Sequence, residues 1–292
     1  MSAPDHRLGL ILVGISTLSW STAGLFTRLI DADLFAMLFW RGIFATLGLL
    51  AVLIYLRGPA TLRQFLHLGL WGWVYAAAST AALFCYISSF RLTSVAHVAI
   101  IYAIVPFCAA GLSWLILKER PRPDAILAST VALVGAVVMV GFGNDGHLSG
   151  DLLAFIMTIL MALMIVLSRR FPALPTLHAG MVSVFAGSLI SLPFAGTLAQ
   201  PGDQLLLLAA FGLINSTLGF ALFALGSPKI APIETALLGA LEAPIAPLWV
   251  WLAYGEHPSA VTIGGAVLVF AAVTWHIARQ SRAQIQLPVA PP

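Results

Sequence analysis

A carboxylate inside a long apolar stretch is the clearest chemical feature of this chain. Residues 230–253 are long enough to cross a bilayer, and Glu242 lies near their middle. A charge at the bilayer centre costs roughly 2.5–3.5 kcal/mol on insertion scales. We therefore expect Glu242 to face a cavity, where it binds a substrate ammonium group or exchanges a proton. The alternative is a protonated or hydrogen-bonded packing residue beside a helix break.

Prolines interrupt this stretch and an earlier one. Pro106, Pro244 and Pro247 each remove a hydrogen bond to the carbonyl four residues earlier, which kinks or breaks a helix. Freed carbonyls at membrane depth need protein or water to satisfy them, so they could line a polar cavity. A kink that only shapes packing is an equal alternative. We expect these helices to break and to move as gates, with His97 as a further gate candidate and Glu234 as a cap or gate.

The two proline-broken stretches end alike. The pattern Trp-x4-Glu-x-Pro runs from Trp114 to Pro121 and again from Trp251 to Pro258. A repeat of about half the chain length predicts two copies of one structural unit. We place them at 1–142 and 148–280.

The composition requires a membrane. Of 292 residues, 60% are hydrophobic and 9% are charged, whereas soluble domains carry about 25% charged residues. Both cysteines lie in apolar runs, so a disulfide framework is not indicated, and the tail 281–292 is expected to be disordered. Stretches of about 20 apolar residues predict ten spanning helices and an all-α fold. The expected spans are 8–30, 33–56, 65–90, 94–117, 124–142, 148–168, 176–198, 204–226, 230–253 and 258–278.

The basic residues predict the orientation. Cytoplasmic loops carry an excess of Lys and Arg, and most of the 14 basic residues fall on the side of the N-terminus. Both termini are therefore expected in the cytoplasm. Five spans in each copy make the second copy cross the membrane in the opposite sense. Inverted repeats around a midplane site are typical of secondary transporters.

Several polar and aromatic side chains are candidates for a central cavity. Trp20, Ser79 and Tyr86 combine aromatic and hydroxyl groups at helical spacing, and Tyr102 lies just before the break at Pro106. Packing is the alternative for each of these aromatic residues. Asn215 either meets a substrate carboxylate or hydrogen-bonds a neighbouring helix.

Two further observations concern the remaining spans. Arg41 lies within the second span, where snorkelling to the surface is favoured over anchoring a carboxylate. Small residues recur in the fifth and tenth spans, as in Ala128, Ala132 and Gly265, and they predict a close packing of scaffold helices.

Motifs of other function classes are missing. The chain has no phosphate-binding Gly-rich loop, no paired Asp-rich motif and no His-x3-His metal pair. We expect no catalytic residue, no cofactor, no metal site and no nucleic-acid partner.

The doubled Trp-x4-Glu-x-Pro and the proline-rich fourth and ninth spans resemble the drug/metabolite transporter superfamily, EamA type. Trp20-Ser21-Thr22 followed by Arg28 is most similar to the YddG branch, whose members export amino acids, aromatic ones included. The resemblance implies two inverted five-helix repeats around a central cavity in the bacterial inner membrane.

The expected function is an inner-membrane secondary exporter of aromatic and other amino acids that works by alternating access. The expected substrate site combines Trp20, Ser79, Tyr86, Tyr102, Asn215 and Glu242. An exporter of drugs or other metabolites is the alternative within the superfamily, and a channel or membrane enzyme is the alternative outside it. The energy source, the substrate range and the oligomeric state, monomer or higher, stay open.

Overall fold

The computed structural model describes residues 3–93, 95–140, 147–255 and 259–285. Within these ranges the protein is all-helical and contains no strand. The α-helices are, in chain order, α1 (Ala3–Ser21), α2 (Ala23–Leu29), α3 (Leu34–Arg57), α4 (Gly69–Leu92), α5 (Val95–Tyr102), α6 (Val105–Leu117), α7 (Pro123–Val140), α8 (Leu148–Arg170), α9 (Thr176–Ser191), α10 (Gly202–Ala210), α11 (Gly219–Gly226), α12 (Pro232–Gly239), α13 (Glu242–Tyr254) and α14 (Ala260–Ile285).

Eight helical stretches in the described ranges are long and apolar enough to cross a membrane. The helix Pro123–Met139 is apolar but shorter, and it lies where the fifth span is expected. The third expected span, 65–90, corresponds mainly to α4, and the segment before it is bent away: Pro59–Phe65 meets Gly69–Tyr86 at 87°. Gly58 and Gly69 flank this bend with φ of 73° and 66°, a conformation that glycine adopts without a Cβ clash.

The C-terminal helix is longer than expected. α14 continues to Ile285, into the segment 281–292 for which we expected disorder. Ala, Arg and Gln dominate this extension and are all good helix formers, so the helix propagates. Residues 286–292 lie outside the described ranges.

Three of the stretches are broken. The first breaks between α1 and α2, after Ser21, and the other two break beside prolines. α5 ends at Tyr102 and α6 begins with Val105-Pro106, so the break falls where Pro106 cannot donate to the Tyr102 carbonyl. In the same way, α12 ends at Gly239 and α13 begins just before Pro244. Pro247 lies inside α13. The breaks expected at the prolines are therefore present.

Several helix pairs of the first half have a counterpart in the second half. α3 packs on α9, and α7 packs on α14. The contact of α4 with α8 has its counterpart in the contact of α11 with α1. Likewise, the contact of α6 with α8 corresponds to that of α12 and α13 with α1.

The α7–α14 pair confirms the close packing of scaffold helices. Ala128 and Ala132 are 1% and 3% exposed, and a Cβ on Gly265 would lie 2.5 Å from the Gly135 carbonyl oxygen. The small residues therefore let the two backbones approach closely.

We call the end of the bundle that holds the N-terminus of α1 and the linker 118–122 the basic end. Lys229 Nζ lies 3.8 Å from Asp5 there, and Arg169 donates to the Pro228 carbonyl at 3.1 Å. At the opposite end, Asp33 caps α3 by accepting from the backbone N–H groups of Phe35 and Ala36 at 2.9 and 3.1 Å.

Candidate functional site

Four polar side chains from four helices interact near the middle of the bundle. Tyr86 of α4 interacts electrostatically with Glu242 of α13 and with Arg41 of α3. Tyr102, the last residue of α5, interacts with Glu242 and with Tyr86. Each of these residues keeps part of its surface exposed, and Tyr86 is 38% exposed. We call this group the central chamber.

The broken helices bring two of these residues to the chamber. Tyr102 ends α5 and Glu242 begins α13, so both lie at the breaks of proline-interrupted stretches. Glu242 also lies in the first turn of its helix, where the positive end of the helix dipole favours a carboxylate. Tyr102 and Glu242, which interact with each other, therefore both lie at a helix break beside a proline.

Arg41 does not snorkel. Its guanidinium lies over the Phe211 ring, 5.1 Å from the centroid, and its Nε is buried without a hydrogen-bond partner among the described residues. A buried donor without a partner favours an anionic group, since an unpaired buried donor is costly. Arg41 is therefore a further candidate site residue; the sequence favours snorkelling, because hydropathy alone does not indicate which way a side chain points.

An aromatic wall borders the chamber. The rings of Trp20 and Phe223 are 5.0 Å apart, and a Cβ on Gly219 would lie 2.6 Å from the Trp20 indole. Together with Tyr102 and Met161 these rings enclose a small cavity of about 10 Å³, of the order of one water molecule. The passage is therefore nearly closed at this depth.

Asn215 lies in a π-helix, Phe211–Leu218, which joins α10 to α11. Its side-chain amide donates to the backbone carbonyls of Ser19 and Trp20 at 3.1 and 2.9 Å. These carbonyls belong to the end of α1, where α1 breaks before α2. π-Helical turns are rare and frequently occur at functional sites. In this structure Asn215 thus makes the helix–helix hydrogen bonds that the sequence left as one of two alternatives.

A second hydrogen bond, which the sequence does not indicate, holds the same break between α1 and α2. The Trp249 indole N–H donates to the Ser21 hydroxyl at 2.8 Å, which links α13 to the end of α1. Trp249 follows Pro244 and Pro247 in α13, and nothing in this part of the sequence indicates Ser21 as its partner. Asn215 and Trp249 together fix the break in the first stretch.

The remaining expected site residues have different positions. Ser79 is half-buried on α4, two turns before Tyr86 and on the same face. Pro106 and Pro244 are buried in the first turns of α6 and α13. His97 lies in α5, but its side chain is outside the described residues.

The basic end of the passage is closed by packing. Val105, Ala109 and Ala236 form a buried cluster with Phe223, and α6 packs directly on α12. The halves of the two broken stretches that lie nearer the basic end are therefore in contact.

Comparisons with known proteins agree with this architecture. A crystal structure described only as that of a protein shares 21% sequence identity with this chain at a TM-score of 0.77, covering 97% of this chain and all of the other. This likeness shows the fold. No curated protein matches the chain. The pattern of the EamA-like transporter family matches twice, at residues 7–141 and 148–277. The chain therefore belongs to the EamA-like transporter family, a family of membrane transporters in the drug/metabolite transporter superfamily.

Proposed function

We propose that this protein exports amino acids across the bacterial inner membrane as a secondary transporter. The observation that carries the proposal is that Arg41 and Glu242 both interact with Tyr86 in the central chamber. An amino acid arrives as a zwitterion and needs an acceptor for its ammonium and donors for its carboxylate. Glu242 supplies the acceptor, and Arg41 supplies charge-assisted donors.

The chamber also suits an aromatic side chain. Trp20, Tyr102 and Phe223 offer ring faces and edges beside the two charged groups. Aromatic pairs contribute about 0.5–1.5 kcal/mol beyond their buried area. The substrates are therefore aromatic and other amino acids, as in the YddG branch.

Alternating access follows from the broken helices. The contact of α6 with α12 supports a state that is closed at the basic end. The symmetric helix pairing and the two matches of the family pattern support ten spans in two inverted five-helix halves. With the basic end in the cytoplasm, both termini are cytoplasmic.

The test is counterflow in proteoliposomes loaded with a panel of unlabelled amino acids. We expect saturable uptake of a labelled amino acid that requires the same or a related amino acid inside. Uptake without saturation or trans-stimulation would indicate a channel, and a chemically altered substrate would indicate an enzyme.

A drug exporter of the same superfamily is the second candidate, because the aromatic wall with one carboxylate also suits an organic cation. A cation needs Glu242 but not Arg41. Counterflow of a cationic drug that survives Arg41→Gln, with no counterflow of any amino acid, would favour this candidate.

A further inference from the structure

A second cavity lies at the basic end, away from the central chamber. It has a volume of about 360 Å³, which is in the range of roughly 300–1,000 Å³ typical of small-molecule sites. Its walls come from α6, the linker 118–122, the start of α7, the start of α12 and α14. None of the residues of the central chamber lines it.

Two buried polar side chains on these walls lack a partner within the described part of the chain. His276 of α14 is 2% exposed, and neither ring nitrogen makes a hydrogen bond. Ser113 of α6 is 6% exposed, and its hydroxyl is unpaired. A buried polar group without a partner is costly, so two of them beside one cavity point to a ligand that satisfies both.

Charged groups of both signs surround the same cavity. Glu234 forms its base, where it accepts from the Ala231 N–H at 2.8 Å and lies 3.1 Å from His6 Nε2. Glu119 and Arg120 are exposed at the rim. Arg122 also lines the cavity, and its Nε is 3.2 Å from Asp124. A purely anionic ligand would meet Glu119 and Glu234, whereas a purely cationic one would meet the two arginines.

We propose that this cavity is a second binding site for a small zwitterion, an α-amino acid, on the basic side of the closed gate. The ligand carboxylate accepts from Ser113, His276 and the arginines, while its ammonium donates to Glu234 or Glu119. The ligand class rests on the proposed function; the cavity and its unpaired groups do not.

The position of the cavity links this site to the gate. α6 and α12 each provide part of its wall, and the same two helices pack on each other to close the passage. A ligand in the cavity therefore touches both helices that must separate before the chamber opens to the basic end. The site serves as a loading position for substrate on the cytoplasmic side.

Equilibrium binding of a panel of radiolabelled amino acids to the full chain in nanodiscs tests the proposal. We expect two bound molecules per chain at saturation for a transported amino acid. The double variant Arg41→Gln, Glu242→Gln should retain one. Adding His276→Phe and Ser113→Ala to it should weaken the remaining binding at least tenfold.

Matched controls separate the site from general damage. His67→Phe and Ser129→Ala change the same residue types outside the cavity and should leave both binding events unchanged, since Ser129 bonds to its own helix at Ala125. His276→Gln, which keeps a donor and an acceptor, should bind more tightly than His276→Phe. All variants are compared as monodisperse proteins of equal yield.

One bound molecule per chain in a wild-type protein that performs counterflow would overturn this inference and leave the proposed function intact. Residual binding that does not respond to His276→Phe with Ser113→Ala would overturn it as well. Absence of both binding and counterflow for every amino acid would instead reject the proposed function, and this inference with it.

Discussion

The Asn215 side-chain amide donates to the Trp20 carbonyl at 2.9 Å, which fixes the π-helical turn of one stretch to the break in another. Trp20 also contacts Phe223, which lies in α11, the helix that follows the π-helix of Asn215. The helix break, the π-turn and the aromatic wall are therefore one connected unit. A change at Asn215 should reach the substrate site through Trp20.

Asn215→Ala should lower thermal stability, because it leaves two backbone carbonyls, of Ser19 and Trp20, without this donor. The expected cost is about 1–3 kcal/mol. Asn215→Asp should be worse, since a carboxylate cannot donate to a carbonyl. Melting in detergent measures stability and proteoliposome uptake measures affinity. A loss of substrate affinity with unchanged melting would instead assign Asn215 to direct substrate binding.

Gly265→Ala should separate α7 from α14. The added Cβ would lie 2.5 Å from the Gly135 carbonyl oxygen, and overpacking of this kind costs typically about 1–3 kcal/mol. The neighbouring Gly264→Ala is the matched control, because a Cβ there has nothing within 4 Å. The measurement is the melting temperature of both purified variants. Equal melting temperatures would contradict the close packing of this helix pair.

Single cysteines at Pro121 and Ser259 should differ in labelling. Both positions precede the last helix of their half, in the linkers before α7 and α14. In inverted halves they lie on opposite sides of the membrane. With Cys85 and Cys108 replaced by Ser, an impermeant thiol reagent applied to whole cells should label position 259 and spare position 121. Equal labelling of the two would exclude inversion.

Pro106→Ala should alter the maximal transport rate more than the substrate affinity. Restoring an N–H at this position allows α5 and α6 to join through the Tyr102 carbonyl, which stiffens the gate, while Arg41 and Glu242, the charged groups of the chamber, lie on other helices. Pro59→Ala, at the start of the 3-10 helix away from the gate, is the control. Normal transport rates in the Pro106 variant would show that the proline serves packing alone.

The sequence carried the features that depend on local chemistry. Proline cannot donate to the carbonyl four residues earlier, so the breaks near Pro106 and Pro244 follow from residue type and position. Small residues in the fifth and tenth spans likewise predicted that these helices pack closely, although not that they pack on each other. In both cases the residue type and its neighbours along the chain are enough to explain the local structure.

Features that depend on a distant partner were out of reach. The break after Ser21 contains no proline; there the Ser21 and Thr22 hydroxyls donate to the Leu18 and Ser19 carbonyls at 2.7 and 2.6 Å. Such bonds compete with the helix ladder, but they are also compatible with a continuous helix. The direction of the Arg41 side chain was equally hard to predict, because it depends on the positions of Phe211 and Tyr86 in other helices. The cavity at His276 required four separate helices to be placed together.

The central claim is that Arg41 and Glu242 divide the two charges of one substrate. Competition of labelled amino acid counterflow by the substrate, by its amine lacking the carboxylate and by its acid lacking the ammonium tests this directly. In the wild type, the substrate should compete at least tenfold better than either analogue. Arg41→Gln should remove the advantage over the amine, and Glu242→Gln should remove the advantage over the acid. If both variants transport and discriminate like the wild type, neither residue binds the substrate and the account of the chamber is wrong.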